Sequence, residues 1–167
     1  MKTKRAFVIN ACLTACLLTT AFFGTAANAQ LIEKKTLSLE AAEKVIAAAK
    51  AEAKANNWKM VIAVVDDGGH LIAMERMDGA QLGSIDVAPG KAKTALNFLR
   101  PTKHWEETSK TRPAVLTITP TAVLIEGGVP VVYQGQVIGA VGVSGASSVQ
   151  DAQVAEAGVR ALGFESK

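Results

Sequence analysis

The chain has 167 residues, of which 49% are hydrophobic and 20% charged, and its formal net charge is +3 at pH 7. All 15 acidic residues follow residue 29, whereas three of the 18 basic residues precede it, so residues 30–167 are neutral overall. This part is long enough for one compact domain, and its neutrality excludes a nucleic-acid-binding protein that depends on overall positive charge.

Residues 1–29 have the three-part pattern of an export signal. Basic residues at positions 2–5 precede a mostly apolar run at 6–24, and an A-x-A cleavage site ends at Ala29. We therefore predict cleavage after Ala29, a periplasmic or secreted protein, and a mature domain of residues 30–167.

Both cysteines of the chain, Cys12 and Cys16, lie in this signal. The predicted mature domain therefore has no disulfide, no thiolate nucleophile and no cysteine metal ligand. Two alternatives stay open. Cys16 follows a lipoprotein-like box, although the residues after it are apolar where a lipoprotein tether is polar, and the segment could also remain as an uncleaved membrane anchor.

An alanine-rich helix is the first predicted element of the mature chain. Ser38 has the hydroxyl of an N-cap residue, and Asn56 and Asn57 follow the predicted end near residue 55. Apolar residues at helical spacing predict its buried face: Leu39, Ala42, Ile46, Ala49 and Ala53.

A β-hairpin is predicted next, over residues 60–80. An apolar run meets a D-D-G-G turn, and a second strand-like run follows. Gly68 and Gly69 can adopt the positive φ that tight hairpin turns require. His70 stands where the turn meets the return strand, and loops on a rigid sheet often carry function.

Two helices are predicted in the middle of the chain. Residues 85–99 have helical spacing, but Pro89 interrupts them, so the firm part of the helix is predicted to start near Pro89 and to end before Pro101. A short polar helix over residues 103–110 follows, with Thr102 as its cap.

The rest of the chain predicts further strands and a closing helix. In order, the segments are a loop or edge strand at residues 111–120, a short strand at 122–125 and a second hairpin at 129–143. Ser148 and Asp151, three residues apart, resemble a capping box at the start of the closing helix.

This order of elements predicts an α/β (α+β) domain. Two hairpins do not form a parallel sheet without crossover connections, so we expect an antiparallel sheet of about five strands that is flanked by helices.

The landmarks together resemble the GlcG/HbpS-type haem-binding family, which also includes the C-terminal domain of some cobalamin adenosyltransferases. The matching segments run in order along the mature chain: V-V-D at 64–66, G-G-H-L at 68–71, R-M-D-G-A at 76–80, K-A-x-T-A at 91–95, P-T at 101–102, G-G-x-P at 127–130, I-G at 138–139 and G-V-S-G-A at 142–146.

The resemblance implies a profilin-like three-layer domain that assembles into homo-oligomers, from dimers to octamers. It also implies haem as the cofactor. Exported members of this family bind haem, serve as accessory proteins to sensor kinases, or degrade haem with peroxide.

Haem iron takes an axial donor from a short set of residue types. Without cysteines, the candidates are His70, His104, Met60, Met74, Met77 and Tyr133. His70 is the favoured metal ligand, because the resemblance puts an occasional iron ligand in this turn.

Four further residues are predicted to bind the cofactor. The resemblance links Thr102 to haem contact, and His104 lies close to it beside Trp105. Lys91 belongs to a basic segment, residues 91–112, whose local charge of +4 suits a carboxylated small ligand such as the haem propionates. Arg76 either lines the pocket or forms a local pair with Asp78.

The leading hypothesis is an exported haem- or porphyrin-binding protein for haem storage, sensing or protection, with peroxide-dependent haem degradation as an implied activity. No catalytic residue is predicted, because the chain lacks the G-x-S-x-G elbow and the spacing of a metalloprotease. Two alternatives stay open: an enzyme or accessory subunit that holds a small organic acid through Arg76 or Lys91, and a ligand-free modulator of a membrane sensor.

Overall fold

Two β-hairpins join into one antiparallel sheet of four strands in the computed structural model, which describes residues 32–164. The elements in chain order are α1 (Leu39–Ala55), β1 (Val61–Asp66), β2 (Leu71–Arg76), α2 (Ser84–Asn97), α3 (Thr102–Thr111), a 3-10 helix (Pro113–Thr117), β3 (Gly128–Tyr133), β4 (Gln136–Ser144) and α4 (Ser148–Arg160). The predicted signal peptide, its cleavage site and both cysteines lie outside the described residues.

The strand order is β2-β1-β4-β3, so the two hairpins meet along β1 and β4. Val61 of β1 lies opposite Arg76 of β2 on one side and Ser144 of β4 on the other. Because the first strand of one hairpin pairs with the second strand of the other, β2 and β3 form the edges.

Side chains of β1 alternate between two helical layers. Ile62 and Val64 belong to the main core cluster, together with residues of α1 and α4. Val61 and Val65 face the opposite side, where they pack against Ala88 and Ala92 of α2. The sheet therefore lies between α1 and α4 on one face and α2 on the other, which confirms the predicted three-layer α+β fold.

The sheet has four strands where the sequence predicted about five. The apolar run at 122–125 is not a strand, because helical side chains bind one backbone amide within it and another just after it. Thr94 Oγ1 accepts a hydrogen bond from Val123 N at 2.9 Å, and Glu106 Oε2 accepts one from Glu126 N at 2.6 Å. Residues 113–117 form a 3-10 helix in place of an edge strand.

Helix α2 begins at Ser84, five residues before the predicted start at Pro89. The buried face continues through the proline, since Ala88 and Ala92 are both fully buried against the sheet. Proline at this position removes only one intrahelical hydrogen bond, and burial of the alanine face outweighs that loss. Leu99 lies beyond the helix and is exposed.

Two smaller predictions also need correction. Leu39 is exposed, and Val45 joins the buried face of α1 in its place. The capping box of α4 consists of Ser147 and Gln150, not Ser148 and Asp151. The N-cap of α1 at Ser38 is confirmed, since Ser38 Oγ accepts a hydrogen bond from Ala41 N at 3.2 Å.

Among residues 32–164, no helix is both long enough and apolar enough to cross a membrane.

Candidate functional site

The imidazole of His70 stands in the turn between β1 and β2, with 84% of its side chain exposed. Gly69 in this turn has a φ of +81°, the positive value predicted for a tight hairpin. The Nδ1 atom of His70 lies 3.4 Å from Oδ1 of Asp66, and Nε2 has no hydrogen-bond partner in the described part of the chain.

Asp66 organises the turn that carries this histidine. Its Oδ1 accepts hydrogen bonds from the backbone N–H of His70 at 2.8 Å and of Gly68 at 2.9 Å. These bonds hold the pKa of Asp66 below its ordinary value, and the bond from His70 has the largest effect. Burial acts in the opposite direction and raises the pKa. The ionised carboxylate therefore both closes the turn and faces the Nδ1 edge of the imidazole.

Apolar side chains continue from His70 along β2. Leu71 is 50% exposed and Met74 is 40% exposed. They pair with Val65 and Ala63 of β1, whose side chains pack against α2. Leu71 and Met74 therefore lie on the α2 face of the sheet, at the edge strand, where apolar surface remains open to a ligand.

The C-terminal end of α2 lies beside the same turn. A Cβ atom on Gly69 would be 3.5 Å from Leu96 Cδ2. Lys93 and Arg100, near this end, are exposed, and within residues 32–164 no carboxylate lies within 4 Å of their cationic groups. Lys93 and Arg100 thus lie near the same end of α2 that Leu96 places beside Gly69.

His104 is exposed on α3 and lies in an aromatic and cationic cluster. Its Nε2 is 3.1 Å from Arg100 Nη1, and its ring meets Trp105 edge-on at a centroid distance of 5.1 Å. Phe98 packs against Trp105 at 4.8 Å. Because an arginine always donates, Nε2 accepts from it, and the lone pair that an iron atom would need is already engaged.

Thr102 is fully buried and is not the cap of α3. Pro101 occupies the N-cap position, and Thr102 Oγ1 instead accepts a hydrogen bond from Gly128 N at 2.8 Å. The hydroxyl therefore joins the start of α3 to the start of β3.

Lys91 is buried in an ion pair with Asp151. Its Nζ donates to Asp151 Oδ2 at 2.7 Å, and the two side chains are only 2% and 3% exposed. Asp151 Oδ1 also accepts from Ala146 N at 3.1 Å. Burial raises the pKa of Asp151 above its ordinary value, against the opposing effect of Lys91.

Sequence reasoning missed the partnership of Lys91 and Asp151, because it assigned Asp151 to a capping box. One signal was present. Lys91 follows Ala88 by three residues and precedes Ala95 by four, so it lies on the buried alanine face of α2. A lysine on such a face requires a buried carboxylate.

Arg76 is exposed at the end of β2 and lines an open cleft of about 450 Å³ with Trp58 and Lys59. It forms no ion pair with Asp78 in the part of the chain that the structure covers. The structure thus distributes the predicted residues over separate places: His70 at the turn, Lys91 and Thr102 in the interior, His104 on α3, and Arg76 at the cleft.

Within residues 32–164, no group of three or more His, Cys, Asp or Glu side chains is arranged to hold a metal ion.

The chain is thus a small α+β domain, a helix–sheet–helix sandwich with one exposed imidazole at its first hairpin turn. A family model described as "Haem degrading protein HbpS-like" matches residues 37–160. The chain belongs to this HbpS-like family.

Three relatives illustrate the match. Protein GlcG of Escherichia coli strain K12 is 46% identical over 111 residues, which are 66% of this chain and 83% of GlcG. A double mutant of Streptomyces reticuli HbpS has a TM-score of 0.77 and 34% identity, covering 84% of this chain and 97% of that one. A PduOC:haem complex has a TM-score of 0.72 and 26% identity, covering 78% and 97%.

Proposed function

We propose that this protein is an exported haem- or porphyrin-binding protein that stores haem, senses it or protects the cell envelope from free haem. The observation that carries the proposal is the His70 imidazole, which is exposed at the β1–β2 turn beside open apolar surface. The HbpS-like family and the similarity to a protein solved as a haem complex support it.

His70 fits the role of an iron donor. A ligating histidine commonly directs its other ring nitrogen toward a carboxylate or carbonyl, which fixes the tautomer and the ring orientation. Here Asp66 lies 3.4 Å from Nδ1. A proton on Nδ1 leaves the lone pair on Nε2, the atom without a hydrogen-bond partner in the described residues.

The surroundings of His70 suit an amphipathic macrocycle. Leu71 and Met74 offer exposed apolar surface, and Lys93 and Arg100 offer cations for the propionates. His104 remains the second candidate donor, and its Nε2 would have to release Arg100 first. Thr102 and Lys91 remain predicted haem contacts, and each would have to release the bond that it makes to Gly128 or Asp151.

The remaining parts of the proposal concern export and assembly. We propose cleavage after Ala29, release into the periplasm or the medium, self-assembly between dimer and octamer, and a membrane sensor as a further partner. When bound, haem would supply an iron centre that reacts with peroxide, and haem degradation would then accompany binding. His70 would donate to the iron, while Lys93 and Arg100 would bind the propionates and orient the macrocycle.

Titration of the purified mature chain with hemin tests this proposal. The chain contains only two histidines, so His70→Ala and His104→Ala form a matched pair of exposed variants. We expect a saturable Soret shift with the wild-type chain and with His104→Ala. For His70→Ala we expect a weaker shift and a changed coordination spectrum.

Absence of a saturable shift in the wild-type chain would reject haem binding. An unchanged spectrum in His70→Ala together with a lost one in His104→Ala would move the donor to α3. Intact-mass measurement of the exported protein tests the localisation separately, because cleavage after Ala29 leaves Gln30 as the first residue.

A further inference from the structure

The cleft at the C-terminal end of α1 has features that haem binding at His70 does not use. It is lined by the last turns of α1, the connection to β1, and the end of β2 with the turn that follows. Its volume of about 450 Å³ lies within the range of roughly 300–1,000 Å³ that is typical of small-molecule sites.

The apolar part of the cleft is Trp58. This side chain is half-buried and packs against the main core cluster, so its indole is held in place while part of it faces the cleft. A rigid aromatic side chain with one exposed side provides contact area for a planar or short carbon frame at little cost in conformational entropy.

The charges around the cleft are unbalanced. Lys50 and Glu75 neutralise each other, since Lys50 Nζ lies 2.8 Å from Glu75 Oε1. Three further cations line the cleft, Lys54, Lys59 and Arg76, against one further carboxylate, Asp78. In the region that the structure describes, none of these three cations has a carboxylate within 4 Å.

We infer that this cleft is a second binding site, for a small dicarboxylate whose carbon frame lies against Trp58. Two negative charges match the surplus of two positive ones, and the Arg76 guanidinium can bind one carboxylate through two parallel hydrogen bonds. Lys54 and Lys59 carry the charge for the other carboxylate.

The site is separate from the one proposed for haem. Leu71, which follows His70, is the first residue of β2, and Arg76 is the last. At the usual rise of a strand, these two residues are about 16 Å apart. Among the described residues, no histidine, tyrosine or cysteine lines the cleft, and the one methionine that does, Met77, is half-buried against the core. The residues around it favour an organic anion over an iron macrocycle.

Tryptophan fluorescence gives a direct test. The chain has two tryptophans, so a Trp105→Phe background leaves Trp58 as the sole indole. The probes are phthalate and glutarate, with dimethyl phthalate as the uncharged analogue and inorganic phosphate as a small anion without a carbon frame. We expect a saturable change with the dicarboxylates and none with the diester or phosphate.

Charge-removing variants locate the site. Arg76→Gln and Lys54→Gln should each weaken dicarboxylate binding about tenfold, since each removes a charged partner. Lys44→Gln is the matched control, because Lys44 is exposed on the same helix but does not line the cleft. His70→Ala should leave dicarboxylate binding unchanged whether or not it affects haem.

Several results would overturn the inference. One is the absence of saturation with dicarboxylates, and another is an equal loss of dicarboxylate binding in Lys44→Gln. A third is a fluorescence response of Trp58 that hemin causes and dicarboxylates do not, if Arg76→Gln abolishes that response. A change of oligomer mass in Arg76→Gln by light scattering would assign the cleft to a second copy of the chain instead. If Arg76→Gln fails to fold by circular dichroism, Lys54→Gln, at an exposed position, decides the question.

Discussion

Lys91 and Asp151 join the layers on opposite faces of the sheet through a bond that is shielded from water. Lys91 belongs to α2 and Asp151 to α4, and their 2.7 Å contact passes beside Gly127, where a Cβ atom would lie 2.8 Å from both Lys91 Nζ and Asp151 Cβ. The absence of a side chain at Gly127 therefore makes room for the pair. Gly127 of the Gly127-Gly128 pair therefore has a packing role in the interior of the domain.

Removal of one partner of this pair should be costly. Lys91→Met leaves the Asp151 carboxylate buried without its cation, and we expect a loss of about 3–5 kcal/mol in the free energy of unfolding. The double variant Lys91→Met/Asp151→Leu should recover much of that loss, because no isolated charge remains. Urea denaturation of the mature chain measures both values.

The control for this prediction is Lys103→Gln. Lys103 is exposed and pairs with Glu126 at 3.2 Å, so its removal should change stability by only about 0–1 kcal/mol. Equal effects of Lys91→Met and Lys103→Gln would contradict the structural role assigned to the buried pair.

Gly142 allows the closest approach of α2 to the sheet. A Cβ atom there would meet the Ala88 carbonyl oxygen and would lie 2.5 Å from Ala92 N, and both are backbone atoms that cannot move independently. We expect Gly142→Ala to lower the free energy of unfolding by about 1–3 kcal/mol or more through overpacking.

Gly83→Ala is the matched substitution for Gly142→Ala. An added Cβ at Gly83 has no atom within 4 Å, and its φ of −59° suits any residue. The unfolding temperature of Gly142→Ala should therefore be clearly lower than that of Gly83→Ala. A Gly142→Ala protein as stable as Gly83→Ala would mean that α2 packs less closely on β4 than the structure shows.

Elements with local signals were predictable from the sequence. The Ser38 cap and the two hairpins depend on residues that are near each other in the chain, and all three are confirmed. The strand at 122–125 was predicted wrongly, because the amides of Val123 and of Glu126, just beyond the run, bind Thr94 and Glu106, which lie 29 and 20 residues away from them. An apolar run does not show which distant side chain will bind its backbone.

The candidate site was predictable only in part for the same reason. The position of His70 follows from the hairpin pattern, which is local. Lys91 was predicted as a ligand contact from its charge alone, but its partner Asp151 is 60 residues away. The cleft at Arg76 likewise combines the end of α1 with the end of β2, so no single motif indicates it.

Thr102 should contribute to stability through its hydroxyl. Its Oγ1 accepts the hydrogen bond of Gly128 N at 2.8 Å in a fully buried place. Thr102→Val keeps the shape but leaves this N–H without a partner, and we expect a loss of about 1–3 kcal/mol. Thr102→Ser, which keeps the hydroxyl, should lose less stability in the same urea experiment.

Hemin titration of both Thr102 variants also tests the predicted haem contact, since a direct contact would weaken hemin binding in Thr102→Val beyond any effect of unfolding.

Asp66 should make the β1–β2 turn sensitive to acid. The fold lowers the pKa of Asp66 below the ordinary 3.8, so folding favours the ionised form. The resulting stability is fully present above pH 3.8 and is lost as the pH falls through the folded-state pKa. Asp66→Asn keeps an acceptor oxygen but does not titrate. We therefore expect the wild-type chain to be more stable than Asp66→Asn at pH 7, with a difference in stability that shrinks below pH 3.8, when urea midpoints are compared across this range.

Asp67→Asn is the control at the same turn, because the Asp67 carboxylate lies 3.7 Å from the exposed Lys34 and accepts no hydrogen bond from the described backbone. A difference between wild type and Asp66→Asn that stays constant with pH would show that the charge of Asp66 does not stabilise the turn.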